Sequence, residues 1–186
     1  MAITTKIGDK GKTNILFGHQ IDKTDFRLEV CGTVDELNAA IGIARATVQA
    51  PNLKQELLTL QHQLFVVGSE VATLQEDASK LKRMIGEEDL RHLEQEIGLL
   101  EKYNRIDNWF IPGESLSSAH LEKARTIARR LERHLLKLGH HNETTKIYLN
   151  RISDYLWLLS QKEEYYLRGI ERESTEEHPS EQQTTI

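Results

Sequence analysis

Three stretches of the chain gather residue types suited to holding a polyphosphate and a nucleotide. The first is Thr5-Lys6-Ile7-Gly8-Asp9-Lys10-Gly11-Lys12-Thr13-Asn14. Glycines let backbone N–H groups approach phosphate oxygens, Thr5 and Thr13 add hydroxyls, and the lysines supply charge. The second is the basic run Arg125, Arg129, Arg130 and Arg133, with Glu132 among them. Arg125, Arg129 and Arg133 recur every four residues, so on a helix their guanidiniums share one side. Leu121, Ala124, Ala128, Leu131 and Leu135 form the neighbouring apolar stripe, which sets some of these arginines at its edge. A guanidinium there needs an anionic partner to offset its desolvation. Asp35, Glu132 and a ligand's phosphates are the candidates. The third stretch is 148–155, where Asn150, Ser153 and Asp154 fall on one helix side near Tyr148 and Tyr155. Such a patch can read a base or a ribose.

Each stretch has a plain structural alternative: a solvated basic terminus, a face laced with Glu–Arg pairs, and a hydrogen-bond network between helices. Other chemistry is disfavoured more firmly. Gly11-Lys12-Thr13 matches the end of a Walker A loop, but that motif needs glycine at the place of Lys6, and no predicted strand precedes it. A P-loop phosphotransferase is therefore a poor fit. A carboxylate-bridged di-iron bundle wants Glu-x-x-His on two helices, and none of the eight histidines has a Glu three residues before it. Cys31 is the sole cysteine, which rules out an internal disulfide and a cysteine-based zinc site. No dedicated metal site is expected.

The elements that must position these residues are helices. A chain of 186 residues is one domain with room for a real core. It has only 11 glycines and 3 prolines, and the prolines, at 51, 112 and 179, leave long uninterrupted stretches. Sandwiches and barrels need more turn punctuation than this. Residues 1–25 show no sustained period and read as a loop that a ligand could order. Val34, Leu37, Ile41, Ala44 and Val48 mark one face of a first helix that ends at Pro51. Thr33 and Glu36 fit a capping box for it, with Phe26–Val30 as a backward extension. The second stripe is Leu53, Leu57, Leu60, Leu64, Val67, Val71 and Leu74, and residues 75–86 are a polar connection. The third is Leu90, Leu93, Ile97 and Leu100. The fourth runs from Leu121 to Leu138, with Gly139 as its stop. Asn142 caps the fifth, which carries Ile152, Tyr155, Leu159 and Tyr166.

The expected fold is therefore all-α, an antiparallel five-helix bundle with an N-terminal ligand-binding loop and a disordered C-terminal tail. The single domain covers 1–172, with the loop at 1–25 and the bundle at 26–172; residues 173–186 form a flexible acidic tail. That tail holds four of the five excess negative charges of the chain, which is −5 overall. The remainder is near neutral, and nucleic acid is not an expected partner. No run of about 18 apolar residues exists to span a bilayer, and the N-terminus lacks the apolar core of a signal peptide. A cytoplasmic protein is expected.

Taken together, the stretches point to a family. The chain resembles the ATP:cob(I)alamin adenosyltransferases of the propanediol-utilisation type, the family that includes the human enzyme of methylmalonic aciduria type B. The matching segments are TKIGDKGKTN (5–14), Lys23 with Asp25, GTVDELNAAIG (32–42), FVVGSEVATL (65–74), WFIPGE (109–114), ARTIARRLER (124–133) and YLNRISDYLWLLS (148–160). They stand in family order. The resemblance implies a homotrimer with active sites between neighbouring subunits. The implied reaction is cob(I)alamin + ATP → adenosylcobalamin + triphosphate, usually with Mg2+. Position by position, it matches Thr5, Lys6, Ile7, Gly8, Thr13, Asn14 and Lys23 to the N-terminal ATP contacts. Arg129, Arg130, Leu131, Glu132, Arg133 and Asn150 match those on the helices. Arg129 is the implied partner of the triphosphate and Asn150 the anchor of the nucleotide. Asp35 and Arg125 match a salt bridge that supports subunit contact and corrinoid binding.

The family places an aromatic residue near the lower face of cobalt, three residues before the loop proline. Counting without gaps makes it Trp109, and a shift of register makes it Phe110. Ile7 stands where the family usually has Thr, and Glu122 where a His is common. Further implied partners are a flavin-type reductase and B12-dependent enzymes. The rival reading is a non-catalytic helical corrinoid-binding or partner module, which would not need the lysine-rich loop, the arginine row and Asn150 together.

Overall fold

The computed structural model describes residues 7–103 and 111–169. Five helices account for the apolar stripes: α1 (Phe26–Thr47), α2 (Leu53–Val71), α3 (Glu87–Tyr103), α4 (Leu116–Leu138) and α5 (Glu143–Leu167). The stop and start between α4 and α5 are those expected. Gly139 ends α4 in the left-handed region at φ 69°, a conformation that costs glycine nothing. The Asn142 side chain then accepts from the Thr144 and Thr145 amides at the start of α5. At α1 the expected capping box is displaced. The cap is Asp25, which accepts from the Arg27 amide at 2.8 Å. Thr33 is buried inside the helix and donates back to the Glu29 carbonyl at 2.7 Å. The backward extension from Phe26 prevails because it adds Val30 to the buried stripe.

Hydrogen bonds between helices report their directions. Asn38 meets Gln61 and Arg27 meets Val71, so α1 and α2 are antiparallel. Thr33 meets His134, while Lys137 lies over Phe26, so α1 and α4 are antiparallel too. Asn150 with Glu132 and Ser117 with Glu163 make α4 and α5 antiparallel. Thr144 with Glu87 and Arg151 with Glu94 show that α3 lies parallel to α5. Direction alternates along the chain, and the third and fifth helices, which share a direction, end up side by side. The core at their centre includes Leu37, Ile41, Leu57, Leu131, Leu149 and Ile152, all without measurable exposure.

Three buried glutamates link the helices, and each is hydrogen-bonded. Glu70 of α2 accepts from the Ile85 amide, the Asn142 amide group and the Thr145 hydroxyl, and lies 3.1 Å from His140. It thereby ties the 75–86 connection to the turn between α4 and α5. Glu163 accepts from the Gln49 and Ala50 amides and from Ser117. Glu164 accepts from Ser118 and pairs with Arg168. These last two carboxylates fasten the start of α4 to the far end of α5.

Residues before α1 are not a plain loop. They contain a 3-10 turn (Ile7–Lys10) and a small antiparallel hairpin, β1 (Lys12–Asn14) and β2 (Gln20–Asp22), with Thr13 opposite Ile21. Strands of three residues are too short to show a period in the sequence. The 75–86 connection likewise contains a 3-10 turn (Gln75–Lys80). The expected acidic tail, 173–186, lies outside the described residues.

Candidate active site

The hairpin brings Gly8, Gly11 and Lys23 together. Gly11 turns the chain into β1 at φ 78°, a conformation that favours glycine. Its carbonyl accepts from the Lys23 amide at 2.8 Å. A Cβ on Gly8 would stand 2.8 Å from the Lys23 ammonium nitrogen, so glycine there leaves the lysine head room against the backbone. Asn14 is exposed on β1 and Thr13 is half-buried. The result is a compact set of one ammonium, accessible backbone and short polar side chains. Thr5 and Lys6 lie outside the described residues, and Ile7 opens the 3-10 turn.

On α4 the arginines divide by partner. Arg125 donates to Glu122, one turn earlier, at 2.9 Å. Glu122 also accepts from Ser160 of α5 at 3.1 Å. Arg130 reaches across to Glu36 of α1. Arg129 and Arg133 are exposed and form no ion pair among the described residues. Glu132 accepts from Asn150 at 3.0 Å, and the Asn150 carbonyl accepts from Arg151 at 2.9 Å. The expected polar patch on α5 is thus partly a network between helices. Ser153 is buried and donates to the Asn150 carbonyl of the backbone, while Asp154 faces solvent. Leu131 is wholly buried in the core, so its side chain is not available to a ligand.

Asp35 does not meet Arg125 within one chain. It stands exposed on the α1 face toward α2, beside a shallow cleft of about 460 Å³ lined by Asn38, Arg45, Gln61, His62 and Phe65. Arg125 finds Glu122 instead of Asp35 or Glu132. An i,i+3 carboxylate on the same helix is always within reach, whereas Asp35 faces away from α4. Glu122 was legible as a neighbour on the helix surface, but the Glu36–Arg130 pair depends on how α1 and α4 pack.

Trp109 and Phe110 lie outside the described residues. The loop that follows them is anchored at its end. Gly113 has φ 119°, Glu114 pairs with Arg168 at 3.0 Å, and Ser115 caps α4 by accepting from Ser118. Ile111 and Leu116 are exposed at the edge of this loop.

The two cationic sets stand at different levels of the bundle. Lys23 precedes Phe26, against which Lys137 packs, its ammonium 4.4 Å from the ring centre. Arg129 lies two helical turns back from Lys137, about 12 Å along the axis at ~1.5 Å per residue. No described contact joins the hairpin to Arg129.

The described residues form a five-helix bundle with a glycine-bearing hairpin and, on α4, two arginines without an ion-pair partner among them, and comparison with known proteins shows which class this is. Residues 3–163 match the model of the cobalamin adenosyltransferase family. The chain is 42% identical over 166 residues to a corrinoid adenosyltransferase of Citrobacter freundii, covering 87% of this chain and 94% of the relative. It is 35% identical to the corrinoid adenosyltransferase PduO of the same organism, covering 89% of this chain and half of that longer protein. Among solved structures it superposes, with TM-score 0.82 and 31% identity, on a variant PduO-type ATP:corrinoid adenosyltransferase from Lactobacillus reuteri complexed with cobalamin and ATP. That match covers 90% of this chain and 96% of the other. The chain belongs to the cobalamin adenosyltransferase family.

Proposed function

We propose that the chain transfers the 5′-deoxyadenosyl group of ATP to cob(I)alamin or a related corrinoid, releasing triphosphate. Co(I) is itself a strong nucleophile, so the protein need not supply one. The bond that forms joins cobalt to C5′, and the bond that breaks joins C5′ to the triphosphate oxygen. The work left to the protein is to hold C5′ in line with cobalt and to offset charge gathering on the leaving group. The observation that carries this reading is that Arg129 and Arg133 stand without an ion-pair partner among the described residues, beside the Asn150–Glu132 hydrogen bond. Guanidiniums so placed suit a triphosphate, and Asn150 offers an amide to the nucleoside.

The hairpin supplies the second ATP surface, through Gly8, Thr13, Asn14 and Lys23, with Thr5, Lys6 and Ile7 preceding them. Because one chain holds its hairpin and its Arg129 apart, we assign the complete site to the junction of two copies in a homotrimer. The hairpin comes from one copy and the Arg129 face from its neighbour. The same assembly brings Asp35 of one copy to Arg125 of the next, replacing the Glu122 contact. Mg2+ accompanies the triphosphate and neutralises part of its charge when bound. The triphosphate oxygens themselves are the main donors to such an ion. Trp109, or Phe110 in the alternative register, faces the corrinoid. A flavin-type reductase supplies the electrons for Co(I), and B12-dependent enzymes take the product. No helix among the described residues is long and apolar enough to cross a membrane, in keeping with a cytoplasmic enzyme.

The test is direct. Protein, ATP and chemically reduced cobalamin are mixed, and the corrinoid spectrum and triphosphate are followed. Adenosylcobalamin and triphosphate should appear in equal amounts; if neither forms, the enzyme reading is wrong.

A further inference from the structure

The turn between the two strands, residues 15–19, carries none of the residues matched to ATP, yet it is buried at Ile15 and tied to the bundle by three separate contacts. Ile15 is buried. The Leu16 amide donates to the Ala72 carbonyl at the end of α2, at 3.0 Å. The Lys80 ammonium lies 5.6 Å from the centre of the Phe17 ring. Nε2 of His19 stands 2.5 Å from Oδ2 of Asp77. Asp77 belongs to the 3-10 turn after α2 and is 5% exposed, unusual for a charged residue. Its other oxygen accepts from Lys80 at 2.6 Å. Phe17 is held at φ 61° in the left-handed region, a backbone state that a docked turn can sustain in a residue other than glycine.

As placed, the cluster is joined by hydrogen bonds and ion pairs. His19, Glu76 and Asp77 have ligand atoms within 4.8 Å of one another. Two ligands sharing a tetrahedral ion at ~2.0–2.1 Å would stand roughly 3.3 Å apart, whereas the His19–Asp77 approach is a short hydrogen bond. The cluster is a fastening. At its opposite end the hairpin runs through Lys23 and Thr24 into Asp25, the cap of α1. Thr13, Asn14 and Lys23 therefore lie between two fixed points. Loosening the turn would leave the hairpin free to swing about the junction of β2 with α1.

We propose that His19 and Asp77 are positioning residues for ATP, a latch that holds the hairpin in its binding geometry without touching the nucleotide. The proposal rests on the reading of the hairpin as an ATP surface. It predicts a loss confined to ATP affinity, because chemistry at cobalt depends on groups on α4 and α5.

The test uses the full chain with chemically reduced cobalamin at saturation. His19→Ala and Asp77→Asn should each raise KM for ATP about tenfold, the scale of one charge-assisted hydrogen bond lost from the competent state. kcat should stay within about threefold and KM for the corrinoid should not move. His19→Gln, whose amide nitrogen reaches the place of Nε2, should recover most of the affinity. Calorimetric titration with ATP alone and thermal unfolding run alongside. If Asp77→Asn fails to fold, His19→Ala carries the test, since His19 is one-third exposed on a turn. Unchanged ATP affinity in the variants, an equal loss in His19→Gln and His19→Ala, or a joint fall of kcat and both KM terms would each overturn the latch. A wild-type protein that binds no ATP would overturn the ATP reading itself, and the latch with it.

Discussion

At the scale of single residues, partnership decides which cations are available. Arg125 and Arg130 are neutralised by Glu122 and Glu36, while Arg129 and Arg133 are not paired among the described residues. Arg129→Ala should therefore lower turnover by on the order of a hundredfold or more, the loss typical of one donor to transition-state charge. A rate within about threefold of wild type, in a steady-state assay of adenosylcobalamin, would refute its role. Trp109→Ala belongs to the other substrate. It should impair reduction of bound Co(II) more than binding of ATP, read by the cobalt spectrum at fixed potential and by nucleotide titration. Equal losses in both would count against Trp109 as the corrinoid aromatic.

At the scale of elements, buried carboxylates fix how the helices meet. Burial alone would raise the Glu70 pKa, but hydrogen bonds from His140, the Ile85 amide, Thr145 and Asn142 outweigh it and hold the carboxyl below its usual range. A group whose folded pKa is depressed contributes stability above its unfolded value, near 4.3 for Glu. That contribution is lost as pH falls through the lower folded value. Urea unfolding should thus show stability falling from about pH 5 downward. Glu70→Gln should flatten that slope; an unaltered slope would show that the acid sensitivity lies elsewhere. Glu70→Ala should cost about 2–4 kcal/mol, because the Ile85 amide and Thr145 hydroxyl lose their acceptor in a buried place.

At the scale of the whole molecule, the proposed site between two copies makes assembly a condition of activity. At ATP well below saturation, Lys23→Ala, through lost ATP affinity, and Arg129→Ala, through lost turnover, should each be nearly inactive. Unfolded together, mixed and refolded, they should regain activity, because about a quarter of the junctions in random trimers pair an intact hairpin with an intact Arg129 face. No recovery, with mixed trimers confirmed by mass spectrometry, would place both halves of the site in one copy. Removal of residues 173–186 should leave activity and assembly unchanged if that segment only solvates the chain. Lost activity would point to a lid over the corrinoid.

Much of this was legible in the chain itself. Apolar spacing located five helices because each buries one stripe, and a period of 3–4 residues is visible over four or more turns. Gly139 and Asn142 marked a helix stop and start because their conformations are local. The arginine row was likewise written in residue type and spacing, whereas the approach of Lys23 to Gly8 came with the hairpin. What tertiary structure decided is which polar groups meet. Glu36 with Arg130, Asn150 with Glu132, and His19 with Asp77 join residues 18 to 94 positions apart. Nothing local selects such a pair. The β1–β2 hairpin and the packing of α3 along α5 also depend on the folded whole, since strands of three residues carry no period and parallel neighbours share no turn. The sequence by itself determined the helices, the family and the residue types of the site. The tertiary structure decided which arginines remain free for a ligand, because a charge is silenced only by the partner that folding brings beside it.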